Sequence, residues 1–260
     1  MATFLSDREL ERYRRQLMHD GFTVEHQKKL KNATALIAGI GGLGGTAAVF
    51  LAVAGIGKMI FAHFGNLTLS NMNRQILMRD EWVGNSRVEQ GMKTIREINP
   101  DVEIVIYDER TTPGNVASLL DGTEIALSAR PNFSERRALN DACIRKNIPM
   151  IEAAMNGMEG YLFDIVPGVS PCLHCIFPES NPEWEELGFP VFGAVSGMLG
   201  CLMAMEAIKI LTGFGKPLLS EMLVYNLTDT VFRKVRTRRD RDCTVCGGIG
   251  KEPVCLSGVI

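Results

Sequence analysis

The stretch ATALIAGIGGLGGTAAVFLAVAG, residues 33–55, joins a short apolar run, a cluster of glycines and a longer apolar run without a break. Thr34 to Ala38 has the length and burial signature of a core strand, and TAAVFLAVAG continues as a helix beyond the glycines. Between them GIGGLG, Gly39 to Gly44, follows G-x-G-x-x-G after a strand and before a helix. In that setting backbone N–H groups and the positive helix terminus hold phosphate. Gly39, Gly41, Gly42 and Gly44 are therefore candidate nucleotide-binding positions. A tight strand–helix junction without a ligand fits the same residues. A P-loop is excluded, because AVAGIGKM lacks the first glycine and the hydroxyl of G-x-x-x-x-G-K-[ST].

Working outward, KMIFAH predicts a second strand, SRVEQGMKTIREIN a helix, VEIVIYD a strand and GNVASLL a short helix. EIALSA, SERRALNDACIRKN and PMIEAA continue as strand, helix and strand. This alternation implies an α/β fold, a Rossmann-like and mostly parallel sheet with helices on both faces. From MEGYLFDIV onward the pattern changes: an apolar helix follows Gly193, and EMLVYNL with TVFRKVRT reads as an antiparallel extension. Upstream, Ser6 and Glu9 have the spacing of a capping box, leading a polar helix whose apolar face runs through Leu10, Tyr13 and Leu17. FPESNPEWEELGFPVFG, residues 177–193, is the best candidate for a mobile loop. One domain over 1–260 is expected, with N-terminal helices over 1–30, a nucleotide-binding core over 31–170, and a crossover, helix and C-terminal part over 171–250.

The hydrophobic fraction of 46%, charged fraction of 22% and net charge of −2 are those of an ordinary soluble chain. They give no basis for expecting nucleic acid as a partner. Met1 to Leu10 is polar and acidic where a signal peptide is basic and then apolar, so a cytoplasmic location is expected. The segments Gly39–Ile56 and Gly193–Leu211 are broken by small residues, and the second carries Glu206 and Lys209, which suits core helices better than membrane spans.

Seven cysteines in such a chain point to metal or to burial rather than to disulfides. Cys172 and Cys175 in CLHC and Cys243 and Cys246 in CTVC form two C-x-x-C knuckles separated by 67 intervening residues. Four thiolates close a tetrahedral zinc site with no open position, which makes the expected metal structural. Cys143 and Cys201 fall on apolar helix faces and read as core residues, and Cys255 reads as free.

Taken together, RYRRQ (12–16), GIGGLG, LSNMNRQ (69–75), VGNSRVE (83–89), MEG (158–160), CLHC, AMEAIKILTG and CTVC resemble the ThiF/MoeB/HesA superfamily, bacterial relatives of ubiquitin-activating enzymes. The similarity runs in order along nearly the whole chain. It implies ATP- and magnesium-dependent adenylation of a carboxylate, either the C-terminal glycine of a ubiquitin-like sulfur carrier or a small molecule. It also implies a homodimer or a pseudo-symmetric heterodimer. Carried over to this chain, Gly41 approaches the phosphates, Asn71 and Arg74 hold the phosphate tail, and Arg15 reaches into the neighbouring subunit's site. Guanidinium groups suit that work because they neutralise charge on a triphosphate. In isolation Arg15 reads equally well as a solvated helix charge, and Arg74 as a surface ion pair.

Several family acids are missing. His63 stands where the family has its ribose-binding aspartate, Gly65 replaces a second acid, and Arg87 replaces a lysine. LSARPN, Leu127 to Asn132, aligns with D-x-x-D-N, so Ser128 and Pro131 replace both aspartates, one of them the magnesium ligand. Three candidate substitutes are Glu152, Asn132 and His63. The position of a sulfur-transfer cysteine in some relatives reads NPEWEELGFP, without cysteine. Three functions follow: adenylation that survives these losses; a diverged binding module or arginine-donating, non-catalytic subunit; and an NADP-dependent oxidoreductase, suggested by basic residues where a ribose acid is absent.

Overall fold

The computed structural model describes residues 4–179 and 189–249. The NPEWEELGFP stretch up to Gly188, much of the 177–193 segment and Cys255 lie outside the described residues. Three helices open the chain, α1 (Asp7–Arg12), α2 (Arg14–Leu17) and α3 (Val24–Asn32). Then β1 (Thr34–Ala38), α4 (Gly42–Ala54), β2 (Lys58–His63), α5 (Arg87–Ile98) and β3 (Glu103–Asp108) follow. The second half comprises α6 (Val116–Leu119), β4 (Ile125–Ser128), α7 (Phe133–Lys146), β5 (Met150–Asn156), β6 (Glu159–Ile165), α8 (Leu173–Ile176), α9 (Gly193–Thr212), β7 (Glu221–Asn226) and β8 (Val231–Arg236).

One eight-stranded sheet runs β3-β2-β1-β4-β5-β6-β7-β8. β3 through β5 are parallel, and β5 through β8 pair antiparallel. The order reverses between β1 and β4, so a crevice opens beyond their carboxyl ends, where open α/β sheets bind ligands. Alternate residues of β1 show how the sheet is covered: Ala35 and Ile37 join the core under α4 and α9, whereas Leu36 and Ala38 join the core under α7.

The entry into α4 depends on two glycines. Gly39 has φ of +100°, and a Cβ there would lie 2.5 Å from the Ala129 carbonyl oxygen. A Cβ on Gly44 would lie 1.9 Å from the Gly39 oxygen, so the helix approaches the turn as closely as it does only with hydrogen at that position. At its other end α4 stops at Gly55, and its last carbonyls are taken by side chains. Asn99 donates to the Ala52 oxygen at 2.8 Å and Gln27 to that of Ala54 at 2.9 Å.

The capping box at Ser6 and Glu9 forms as its spacing predicts. The expected single helix divides at Tyr13 (φ −97°, ψ 8°) into α1 and α2, and Leu10 stays partly exposed. Tyr13 is the anchor: it is buried, and its hydroxyl accepts from Asn99 Nδ2 at 3.1 Å. The apolar helix α9 is long enough to cross a membrane, yet it packs into the core through Val195, Leu199, Met203, Ala207 and Ile210. A Cβ on Gly200 would lie 2.5 Å from the Leu43 oxygen, which lets α9 cross close over α4.

Candidate functional site

A cleft of about 500 Å³ opens at the carboxyl edge of the parallel strands. Its floor is Gly41, Gly42 and Leu43, the start of α4. Gly41 is the N-cap and offers no side-chain cap, so the first-turn N–H groups of a 13-residue helix face the cleft without internal partners. A Cβ on Gly41 would meet Gln75 Nε2 at only 3.7 Å, whereas Gly42 lies against Ser196 and Arg74. Of the four motif glycines, Gly41 and Gly42 line the cleft; Gly39 and Gly44 shape the turn beneath it.

The walls bring together Arg74, Arg87, Arg110, Arg130 and Arg136, with no aspartate or glutamate among the described lining residues. Arg74 follows the one-turn helix at Leu69–Asn71 and donates to the Ser70 carbonyl and Asn73 Oδ1, both at 2.8 Å. Arg87, the first residue of α5, reaches back to the loop after β2 and donates to the carbonyls of Phe64 at 2.6 Å and Gly65 at 3.1 Å. Burial draws the pKa of both arginines down, and for Arg87 the nearby charges of Arg130 and Arg74 add to the effect.

His63, the last residue of β2, is 7% exposed. Its Nδ1 lies 3.0 Å from Arg130 Nη1, which can only donate, so Nδ1 accepts and Nε2 carries the hydrogen. Among the described residues no group bonds to that Nε2. Burial, then the charges of Arg87 and Arg130, hold the imidazole well below the usual histidine range, and it is neutral. At the end of β2, where an acid accepts hydrogen bonds from a ribose in the ordinary nucleotide fold, this protein presents a donor.

Arg130, Arg110 and Arg136 carry no flag in the motif spacing. Arg130 is 3% exposed and ion-paired through Nε to Glu135. Arg110 sits over the Phe64 ring, 3.8 Å from its centroid, and 3.7 Å from the same Glu135. Arg136 donates to the Arg130 carbonyl at 2.8 Å and to the Tyr161 hydroxyl at 2.9 Å, and lies 3.4 Å from Glu152. Burial pushes the Glu152 carboxyl up against the opposing pull of Arg136. What these arginines share is position just past a strand's carboxyl end, after β3 in YDER and after β4 in SARPNFSERR, and that is the signal by which sequence reasoning finds them.

The remaining candidates are placed differently. Asn71 lines the cleft, with its Oδ1 accepting from the Thr68 N–H and hydroxyl, both at 3.0 Å. Asn132 caps α7: Oδ1 accepts from the Glu135 N–H and Nδ2 donates to Glu135 Oε1, both at 2.9 Å, so its amide is committed away from the cleft. Pro131 lines the cleft, while Ser128 and Glu152 lie fully buried beneath it. Arg15 is exposed on α2 and is not among the residues lining its own chain's cleft.

At the far end of the chain the four cysteines converge, their sulfurs all within 4.8 Å of one another. Cys172 lies 3.8 Å from Cys175 and 3.7 Å from Cys243, and Cys175 lies 3.4 Å from Cys246. A zinc tetrahedron with bonds of about 2.3 Å has sulfur–sulfur edges of about 3.8 Å, so the donor set and its spacing fit zinc. The Asp240 N–H also points at Cys175 Sγ, 3.4 Å away, an outer contact of the kind that orients thiolate ligands. Cys143 is buried in the core with its thiol pushed up by burial, and Cys201 is partly buried on α9.

Residues 13–245 match the model of the ThiF family. The chain is 54% identical to "Protein HesA, vegetative" of Trichormus variabilis over 94% of its own length and 91% of that protein. It is 32% identical to the sulfur carrier protein ThiS adenylyltransferase of Escherichia coli, over 96% of this chain and all of that one. Its fold is that of the E. coli MccB crystal structure, with a TM-score of 0.83 at 24% identity over 96% of this chain and 75% of that chain. With the glycine turn, the described cleft residues and three of the four clustered cysteines inside the matched region, the chain belongs to the ThiF family.

Proposed function

We propose that the cleft binds ATP and that the protein adenylates a carboxylate. A carboxylate oxygen attacks the α-phosphorus, the bond from that phosphorus to the bridging oxygen breaks, and pyrophosphate leaves with its electron pair. The product is an acyl-adenylate. The observation that carries this reading is the meeting of the α4 N-terminus with Arg74 and Arg87 in one cleft. The helix terminus suits a phosphate, and the guanidinium groups suit the charge that builds on the departing pyrophosphate. Relatives that adenylate a sulfur carrier by name support a ubiquitin-like C-terminus as the substrate, with a small carboxylate as the alternative. In a dimer the exposed Arg15 is available to a neighbouring cleft, and the four thiolates hold a structural zinc that ties the C-terminal segment to α8.

ATP-dependent exchange of radiolabelled pyrophosphate, in the presence of candidate carriers or carboxylates, tests the activity. Exchange supports it; no exchange with any acceptor, together with no ATP binding by calorimetry, removes it. The absence of a carboxylate among the described lining residues favours one second reading, a non-catalytic subunit that lends Arg15 to an active partner. That reading requires a stable heterodimer whose activity falls when Arg15 of this chain is replaced.

A further inference from the structure

Magnesium accompanies ATP in most nucleotidyl transfer and takes one or two protein carboxylates in its shell. This cleft does not fit it. The nearest carboxylates are engaged, Glu135 by Arg130 and Arg110, and Glu152, fully buried, by Arg136. Asp108, exposed and beside His63 in the sheet register, is not among the described lining residues and accepts from Ser86 Oγ at 2.7 Å. The oxygens left on the wall are neutral, and those of Thr68 and Asn71 are already in local hydrogen bonds. Two glutamates stand against five guanidinium groups, and His63 adds another N–H donor at the strand end. A dication brought to this wall meets like charge with no carboxylate among the described lining residues to offset it, whereas an anion meets the guanidinium donors of Arg74, Arg87 and Arg130.

We propose that the cleft binds its nucleotide as the metal-free polyphosphate, with the arginine cluster in the place of a divalent cation. Arg74 and Arg87, whose side-chain partners are backbone carbonyls and the Asn73 amide, have charge to offer the phosphate chain. Arg130 and His63 form the end of the same wall, so a triphosphate over Gly41 lies between two banks of donors. The proposal rests on the reading of the cleft as an ATP site, and the experiment separates the two.

Calorimetric titration of the full chain with ATP in EDTA, and again with magnesium in excess over ATP, is the direct test, with inorganic triphosphate as a nucleotide-free probe. The expected result is tighter binding in EDTA, an apparent affinity that weakens at least about 3-fold as magnesium sequesters ATP, and measurable binding of triphosphate. Arg87→Gln should weaken metal-free ATP about 10-fold or more, and Arg87→Lys should recover part of that loss. Pro131→Asp, which restores an acid to the wall, should weaken metal-free binding and make affinity rise with magnesium. Binding that requires magnesium in the unaltered protein overturns the proposal and leaves the ATP reading standing. No binding of ATP in either condition, with far-ultraviolet circular dichroism showing a folded chain, overturns both.

Discussion

The protein gathers like charge in two places, and the two clusters are built in opposite ways. In the cysteine cluster four ligands of one chemical kind come from two short sequence knuckles, and their sulfurs stand at the spacing a tetrahedral cation needs. In the cleft five arginines come from the ends of separate strands and the starts of helices, each held by a different local bond. One site has the geometry of a closed cage for a cation; the other, as proposed, is an open wall for an anion. The thiols become a set of like charges only as a cation binds, and the arginines repel one another until an anion does, so each site couples ligand binding to local order. The difference is in reach: metal loss should loosen one end of the chain, whereas loss of an arginine should change what the cleft admits.

The largest expected effect is at the cage. Cys175→Ala should reduce zinc from about one per chain to none by elemental analysis, and expose the segments around 172–177 and 237–249 to limited proteolysis. In zinc-finger peptides metal binding supplies about 10 to 16 kcal/mol; here the core of the sheet should survive, and global unfolding from this change would mean that the cage supports the whole fold. On the cleft side Arg130→Met leaves Glu135 with the Asn132 amide and the more distant, partly exposed Arg110, and should cost about 3 to 5 kcal/mol by chemical denaturation. A cost below about 1 kcal/mol would show that Glu135 is not desolvated as the cleft geometry requires.

Next comes the floor. Gly44→Ala places a methyl against the Gly39 carbonyl oxygen and should cost about 2 to 3 kcal/mol while weakening ATP; Gly41→Ala, with open space around its Cβ, should affect ATP far more than stability. The pH dependence of stability addresses the wall itself. Because folding holds the His63 pKa well below 6.5, the unfolded chain binds a proton that the folded chain does not, so this residue's contribution is present above pH 6.5 and is lost as pH falls below it. The slope from one such group approaches about 1.4 kcal/mol per pH unit, and His63→Gln should remove it from an acid denaturation series. The smallest effect belongs to a region that neither cluster touches: Ser6→Ala should cost about 1 kcal/mol or less through loss of the α1 cap.

The same contrast decides what could be read in advance. The strand–turn–helix at 34–54, the antiparallel pairing of β7 with β8 and the pairing of the two knuckles are legible, because each depends on residues close in sequence or on one repeated ligand type. α1 and α2 were read as one helix, since periodicity alone does not register that Tyr13 must turn inward to meet Asn99, 86 residues away. The missing acids at His63 and Pro131 were visible, yet their consequence was not. Arg110, Arg130 and Arg136 join Arg74 and Arg87 only when β2, β3 and β4 align in register and bring their carboxyl ends to one edge. Asn132 illustrates the converse: its place beside Pro131 suggests a ligand, whereas the local geometry spends both ends of its amide on capping α7.

The central claim is that a wall of guanidinium groups, with no acid among its described residues, holds a polyphosphate over the start of α4. A crystal structure grown with ATP and magnesium together tests it most directly. The account predicts phosphate density over Gly41 within hydrogen-bonding distance of Arg74 and Arg87, with no octahedral ion between the phosphates and the protein; a metal bridging phosphate to a protein oxygen, or a cleft that stays closed to the nucleotide, would contradict it.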